Sequence, residues 1–117
     1  MGRLKITIQW TDTAKNALPN LPKKVRHGLF QKIDALQEGD PRIGQKPLLG
    51  PLQGYYRVTY SRYRALFSAQ EEELAKGLLH IKVTVVLVGI RKADDKKNVY
   101  EIAKKLIKLG LIPGRGE

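Results

Sequence analysis

No cysteine occurs in this chain, and its 117 residues include only two histidines, one tryptophan and one methionine. Without thiols, disulfide frameworks and thiolate metal sites are excluded. His27 and His80 alone are too few imidazoles to suggest a zinc centre, so no metal and no cofactor is expected. No apolar run approaches the roughly 20 residues that span a bilayer. The opening Met1-Gly-Arg-Leu-Lys-Ile-Thr-Ile lacks the apolar core of a signal peptide. The expectation is a cytoplasmic protein with no membrane partner.

Acidic residues are also scarce. Eleven Asp and Glu face twenty-two Lys and Arg, leaving a net charge of +11. Such an imbalance speaks about partners and solubility, not about fold. Nucleic acid is the leading class of partner, because Lys and Arg contacts to phosphate supply most non-specific affinity. An acidic protein would answer the same field, and a merely solvated basic surface is the plain alternative. The apolar share of 42% is that of a globular chain, and the length suits one compact domain over 1–117.

Leu4, Ile6, Ile8 and Trp10 alternate with Lys5, Thr7 and Gln9, the period of a strand. Thr11-Asp12-Thr13 suits a helix cap, and the helix through Ala14–Leu18 must be short because Pro19 and Pro22 interrupt it. A second helix begins at Pro22, with Leu21, Val25, Leu29, Ile33 and Leu36 in one apolar stripe. Gly28 weakens that helix and Gly39 stops it. Residues 40–54 form a Pro- and Gly-rich loop pinned to the core by Leu48, Leu49 and Leu52. Gln70-Glu71-Glu72-Glu73, the one acidic cluster, is placed at a solvated turn. Leu78–Val88 is apolar on nearly both faces, as in a central strand. Asn98 with Glu101 reads as a capping box opening a last helix through Val99, Ile102, Ala103, Leu106 and Ile107. The order predicts an α+β domain: an antiparallel-rich sheet of about four strands, an N-terminal helical hairpin and a C-terminal helix, with the helices on one face.

Tyr55–Phe67 carries the most information. Two alternating segments flank Ser61-Arg62, and residues opposite each other across a hairpin share a face. Pairing Tyr60 with Tyr63 sets Thr59 opposite Arg64 and Arg57 opposite Leu66. Arg57, Thr59 and Arg64 then occupy one face, and Tyr56, Val58, Tyr60, Tyr63, Ala65 and Phe67 the other. A loop of odd length would instead separate Arg57 from Arg64.

Leu49-Gly50 before this hairpin, Gly54-Tyr-Tyr-Arg-Val58, Tyr63-Arg64, Val88-Gly-Ile-Arg91 and Val99-Tyr100, in that order and over nearly the full length, resemble the RelE/ParE superfamily of toxins from type II toxin–antitoxin systems. The resemblance implies a RelE-like fold and a metal-independent endoribonuclease that cuts messenger RNA on the ribosome. It also implies a cognate antitoxin that neutralises the toxin, with DNA engaged only through the antitoxin complex. By motif position it implies Arg57, Arg64, Arg91 and Tyr100 as the catalytic set. Thr59 stands where some members carry a second lysine, and the gap from Arg91 to Tyr100 exceeds the family's usual one.

These residue types suit the reaction. RNA is cut when its 2′-hydroxyl attacks the adjacent phosphate, which calls for orientation, charge stabilisation and proton handling. Guanidinium groups hold phosphate oxygens bidentately and stay charged. Arg64 and Arg91 are thus candidate clamps, Arg57 assists them, and Tyr100 moves a proton or positions the nucleophile. Lys92, Lys96 and Lys97 are candidate RNA-phosphate contacts, or simply a solvated charge run. Two rival functions share the fold: a ParE-like, non-enzymatic inhibitor of DNA gyrase, and a non-toxic basic module acting in an antitoxin complex.

Overall fold

A computed structural model describes residues 3–92 and 98–113. Its centre is a mixed five-stranded sheet in the order β1-β5-β4-β3-β2. The strands are β1 (Arg3–Trp10), β2 (Lys46–Pro47), β3 (Tyr55–Tyr60), β4 (Tyr63–Ala75) and β5 (Leu78–Ile90). Three α-helices accompany them: α1 (Asp12–Ala17), α2 (Lys23–Asp34) and α3 (Val99–Lys108). Five strands replace the expected four because the loop before the hairpin contributes the two-residue β2. The sheet is mixed because β1 runs parallel to β5. None of these helices is long and apolar enough to cross a membrane.

The local reasons match the sequence. Thr11 caps α1, its Oγ1 accepting the Ala14 N–H at 3.2 Å. Pro22 sits immediately before α2, and the stripe Val25, Leu29, Ile33 and Leu36 is buried. Gly28 does more than weaken α2. A Cβ there would lie 2.2 Å from Tyr60 Cε1, so its missing side chain is what lets α2 settle on β3.

β3 and β4 pair as the alternation predicts, with Tyr60 opposite Tyr63, Thr59 opposite Arg64 and Arg57 opposite Leu66. The two-residue loop has Ser61 at φ 54°, the positive first position of a II′-type hairpin turn. The acidic cluster is not at a turn. Gln70–Glu73 lies within β4, paired with Lys82, Ile81, His80 and Leu79 of β5, and the turn comes later at Lys76-Gly77. Leu49 is 81% exposed, so of the three leucines only Leu48 and the buried Leu52 pin the loop.

The helices do not share a face. α1 and α2 cover Val58, Ala65, Phe67, Ile81, Val83, Val85 and Val88. α3 packs on the opposite side, where Val99 and Ala103 meet Leu52, Tyr55, Leu66, Val86 and Leu87. Alternation explains this: Tyr55 and Leu66 belong to the Arg57 face, so that face is basic near the hairpin turn and apolar beyond it.

Asp40, Arg42 and Glu71 fasten the 40–43 segment to β4. Arg42 reaches Asp40 Oδ2 at 2.7 Å and Glu71 Oε2 at 2.6 Å. The hydrogen bond from Arg42 holds the Asp40 carboxyl below the usual carboxylate range, and its two carboxylate partners raise Arg42.

Two measurements test this packing. Gly28→Ala gains about 1 kcal/mol of helix propensity but forces Tyr60 aside, an overpacking cost of about 1–3 kcal/mol. It should lower the denaturant midpoint in the wild-type background and raise it in Tyr60→Ala. For Asp40, a depressed folded pKa means stability that is present above the unfolded value and lost as pH falls through the folded one. Acidifying below about pH 4 should therefore lower the melting temperature of the wild type more steeply than that of Asp40→Asn.

Candidate functional site

The site begins with a glycine in β5. A Cβ on Gly89 would stand 3.2 Å from Val99 Cγ2, so this position admits the first turn of α3 close against the sheet. Asn98 caps that turn, its Oδ1 accepting the Tyr100 N–H at 3.4 Å and the Lys92 N–H at 3.4 Å. Glu101 does not complete the capping box; its carboxylate pairs with Lys104 at 3.4 Å. With α3 seated in this way, Tyr100 lies over β3. Arg57 Nη1 donates to Tyr100 Oη at 3.0 Å.

This contact joins residues 43 positions apart in the chain. The Arg57 N–H occupies one lone pair of the phenol oxygen, which keeps its O–H and a second lone pair for another partner. Arg57 is half-buried, and its Nε is shielded with no hydrogen-bond partner among the described residues. A buried donor left without an acceptor costs about 1–3 kcal/mol. Carboxylate and phosphate oxygens are the acceptors a guanidinium matches bidentately.

Arg64 shares the face, diagonal to Arg57 across the hairpin. Its Nη1 donates to the carbonyls of Ser61 (3.0 Å) and Tyr63 (2.9 Å), so this side chain straps the tight turn. It is only 9% exposed, and its Nε has no partner among the described residues. Arg91 follows β5 and is exposed, with its backbone N–H bonded to Arg62 O at 2.7 Å. The structure thus brings Arg57 and Tyr100 into contact, sets Arg64 beside them on one face, and leaves Arg91 at the strand end. Thr59 and Lys92 are exposed. Lys96 and Lys97 lie outside the described residues. None of the three arginines makes an ion pair among the described residues.

The tyrosines divide as the hairpin pattern suggests. Tyr56 stacks on Phe67 with ring centroids 5.4 Å apart, and Tyr60 and Tyr63 pack on the α1–α2 core. Tyr55 is buried on the other side, where its hydroxyl donates to Pro113 O. His80 Nε2 lies 2.8 Å from Thr7 Oγ1, a cross-strand contact away from this face's arginines. Among the described residues no three His, Cys, Asp or Glu side chains gather as metal ligands.

Sequence reasoning missed Lys46, whose Cα stands opposite Arg57 in the β2–β3 ladder. A two-residue strand has no periodicity to detect, and Pro47 argues against one.

The Arg57–Tyr100 bond is open to direct measurement. In a double-mutant cycle, Arg57→Lys and Tyr100→Phe should each destabilise the fold only slightly. Their coupling energy should be about 0.5–1.5 kcal/mol. Additive effects would show that the two side chains do not interact in solution.

No family model and no curated protein sequence matches the chain. Solved structures do. A mutant of the E. coli toxin RelE in the free state aligns with 24% identity over 86% of this chain and 95% of that one, at a TM-score of 0.59. The intact E. coli RelBE toxin–antitoxin complex aligns with 23% identity over 73% and 95%, at 0.55. The RelBE2 toxin–antitoxin complex of Mycobacterium tuberculosis aligns with 24% identity over 75% and 92%, at 0.50. At these identities the likeness is one of architecture: a mixed sheet, a helical hairpin on one face and a helix on the other make this chain RelE-like in fold.

Proposed function

We propose that this chain is the toxin of a type II toxin–antitoxin pair, a ribosome-dependent endoribonuclease held inactive by a cognate antitoxin. The observation that carries the reading is the 3.0 Å hydrogen bond between Arg57 and Tyr100 on a sheet face that also holds Arg64. The RelE-like fold supports it, and two of the similar solved structures are toxin–antitoxin complexes.

In the proposed reaction the 2′-oxygen of one nucleotide attacks the adjacent phosphorus and gives up its proton. The bond from phosphorus to the 5′-oxygen breaks, and that oxygen takes a proton. The products are a 2′,3′-cyclic phosphate and a 5′-hydroxyl, with no outside reactant consumed. Arg57 holds a non-bridging phosphate oxygen and orients Tyr100. Arg91 adds a second cation where charge grows on the phosphorane, and Arg64 does so while holding the hairpin turn. Tyr100, with one lone pair engaged, moves the proton at its Oη. Lys92, Lys96 and Lys97 contact RNA phosphates, and DNA is engaged only through the antitoxin complex. The combination of cations and phenol favours a nuclease over a ParE-like gyrase inhibitor, which needs no such constellation.

The test is to express the chain alone in bacterial cells and map new messenger RNA 5′ ends. Cleavage inside translated frames is expected. Tyr100→Phe should reduce it about 10²-fold or more, the usual contribution of a positioned proton-transfer group, and Arg57→Ala should abolish it. Growth arrest with intact messages and stalled replication would reject the nuclease in favour of gyrase. Absence of arrest would leave a basic binding module.

A further inference from the structure

The β2–β3 ladder ends at Lys46–Arg57. Beyond it Gly44 and Gln45 have no partner in β3, and Gly44 adopts φ 89°, a turn that carries the chain off the sheet edge. An open cleft of about 440 Å³ lies here, lined by Lys32 at the end of α2, Gly44–Lys46, and Arg57 and Thr59 of β3. It is rich in cations. Lys32 and Lys46 are exposed and Arg57 is half-buried; among the described residues no carboxylate lines the cleft and none of the three makes an ion pair.

A lysine in the last turn of a helix is ordinary, because it faces the negative end of the helix dipole. Lys46 has no such explanation. It stands directly opposite Arg57, and like charges at facing positions of an antiparallel pair are unfavourable. Three cations around one open depression without a counter-ion make a site for an anion.

We infer that this cleft binds a phosphodiester of single-stranded RNA and carries the strand over the β3 edge, next to the phosphate held by Arg57. The inference rests on reading the chain as acting on RNA. It adds a second phosphate position, from Lys46 and Lys32, which takes no part in the chemistry. The cleft is open and lies at a strand edge, where a nucleic-acid backbone can pass, and Lys32 and Lys46 carry ammonium groups on flexible stems that tolerate any base.

The experiment titrates the full chain with a short single-stranded RNA bearing 2′-O-methyl groups, which block cleavage, and reads fluorescence anisotropy across salt concentrations. Lys32→Gln/Lys46→Gln is compared with Lys23→Gln/Lys24→Gln, which removes the same charge from the other end of α2. All four side chains are exposed, so the fold is retained. The cleft variant should bind on the order of tenfold more weakly at 0.1 M salt, and its plot of log affinity against log salt should flatten by about 1. The control should lose much less on both counts. Equal losses in the two variants, or none in the first, would overturn the proposal, as would an acidic peptide that needs Lys32 and Lys46 while RNA does not. Binding is read without cleavage. A chain that cuts no message yet shows the cleft-specific loss therefore fails only the nuclease reading, and one that cuts while the cleft variant binds normally fails only this one.

Discussion

Val86 has no partner in β4, since Leu66 pairs with Leu87 and Phe67 with Val85. This one-residue bulge reverses the alternation of β5. Before it, Ile81, Val83 and Val85 point into the core beneath α1 and α2; after it, Val88 takes that side. Val86 and Leu87 join the core beneath α3, and Gly89 meets Val99. An unbroken strand would turn positions 87 and 89 towards the helical hairpin, taking Leu87 and Gly89 from beneath α3 and setting Val88 there instead. Position 91, two beyond Gly89, would change sides with them. The contact between Arg57 and Tyr100 depends on where α3 sits, and α3 sits where the bulge lets it.

Charge is distributed around that contact in a way that does not serve stability. Among the described residues, the acidic side chains that make ion pairs are used elsewhere: Asp40 and Glu71 on Arg42, and Glu101 on Lys104. Among the described residues Arg57 and Arg64 have no counter-ion on their shared face, and no acceptor reaches the shielded Nε of either. Packing alone would not select such an arrangement, since buried donors are satisfied in the great majority of cases. Arg26 of α2 also keeps a shielded Nε without a partner among the described residues, so what supports the proposed anion site is the placing of two such guanidinium groups on one face.

The hairpin was legible to the residue because its evidence is local. Alternation over two short segments leaves the parity of the loop as the one open choice, and the two-residue loop that the structure has puts Arg57 and Arg64 on one face. The side taken by α3 was not legible. It depends on a bulge that no periodicity within Leu78–Val88 reveals, because the strand is apolar on both faces and one extra valine leaves no trace in the pattern. Gln70–Glu73 misled for the opposite reason: four polar residues in a row suggest a turn, but β-pairing with His80 and Lys82 extends the strand through them. Lys46 escaped because two residues are too few to show any period.

The two arginines on the hairpin are not equivalent in what they can reveal. Arg64 holds the carbonyls of Ser61 and Tyr63, and Ser61 occupies a backbone region that costs a non-glycine residue energy. Removing Arg64 would loosen the turn and disturb the register on which the whole face depends. Lost activity there would not distinguish chemistry from structure. Arg57 bonds through Nη1 to a side chain on another element and has no backbone carbonyl to hold. Tyr100 can lose its hydroxyl while its ring stays packed against the α3 core. The proposed function of this face is therefore best tested at Arg57 and Tyr100, where the architecture demands least.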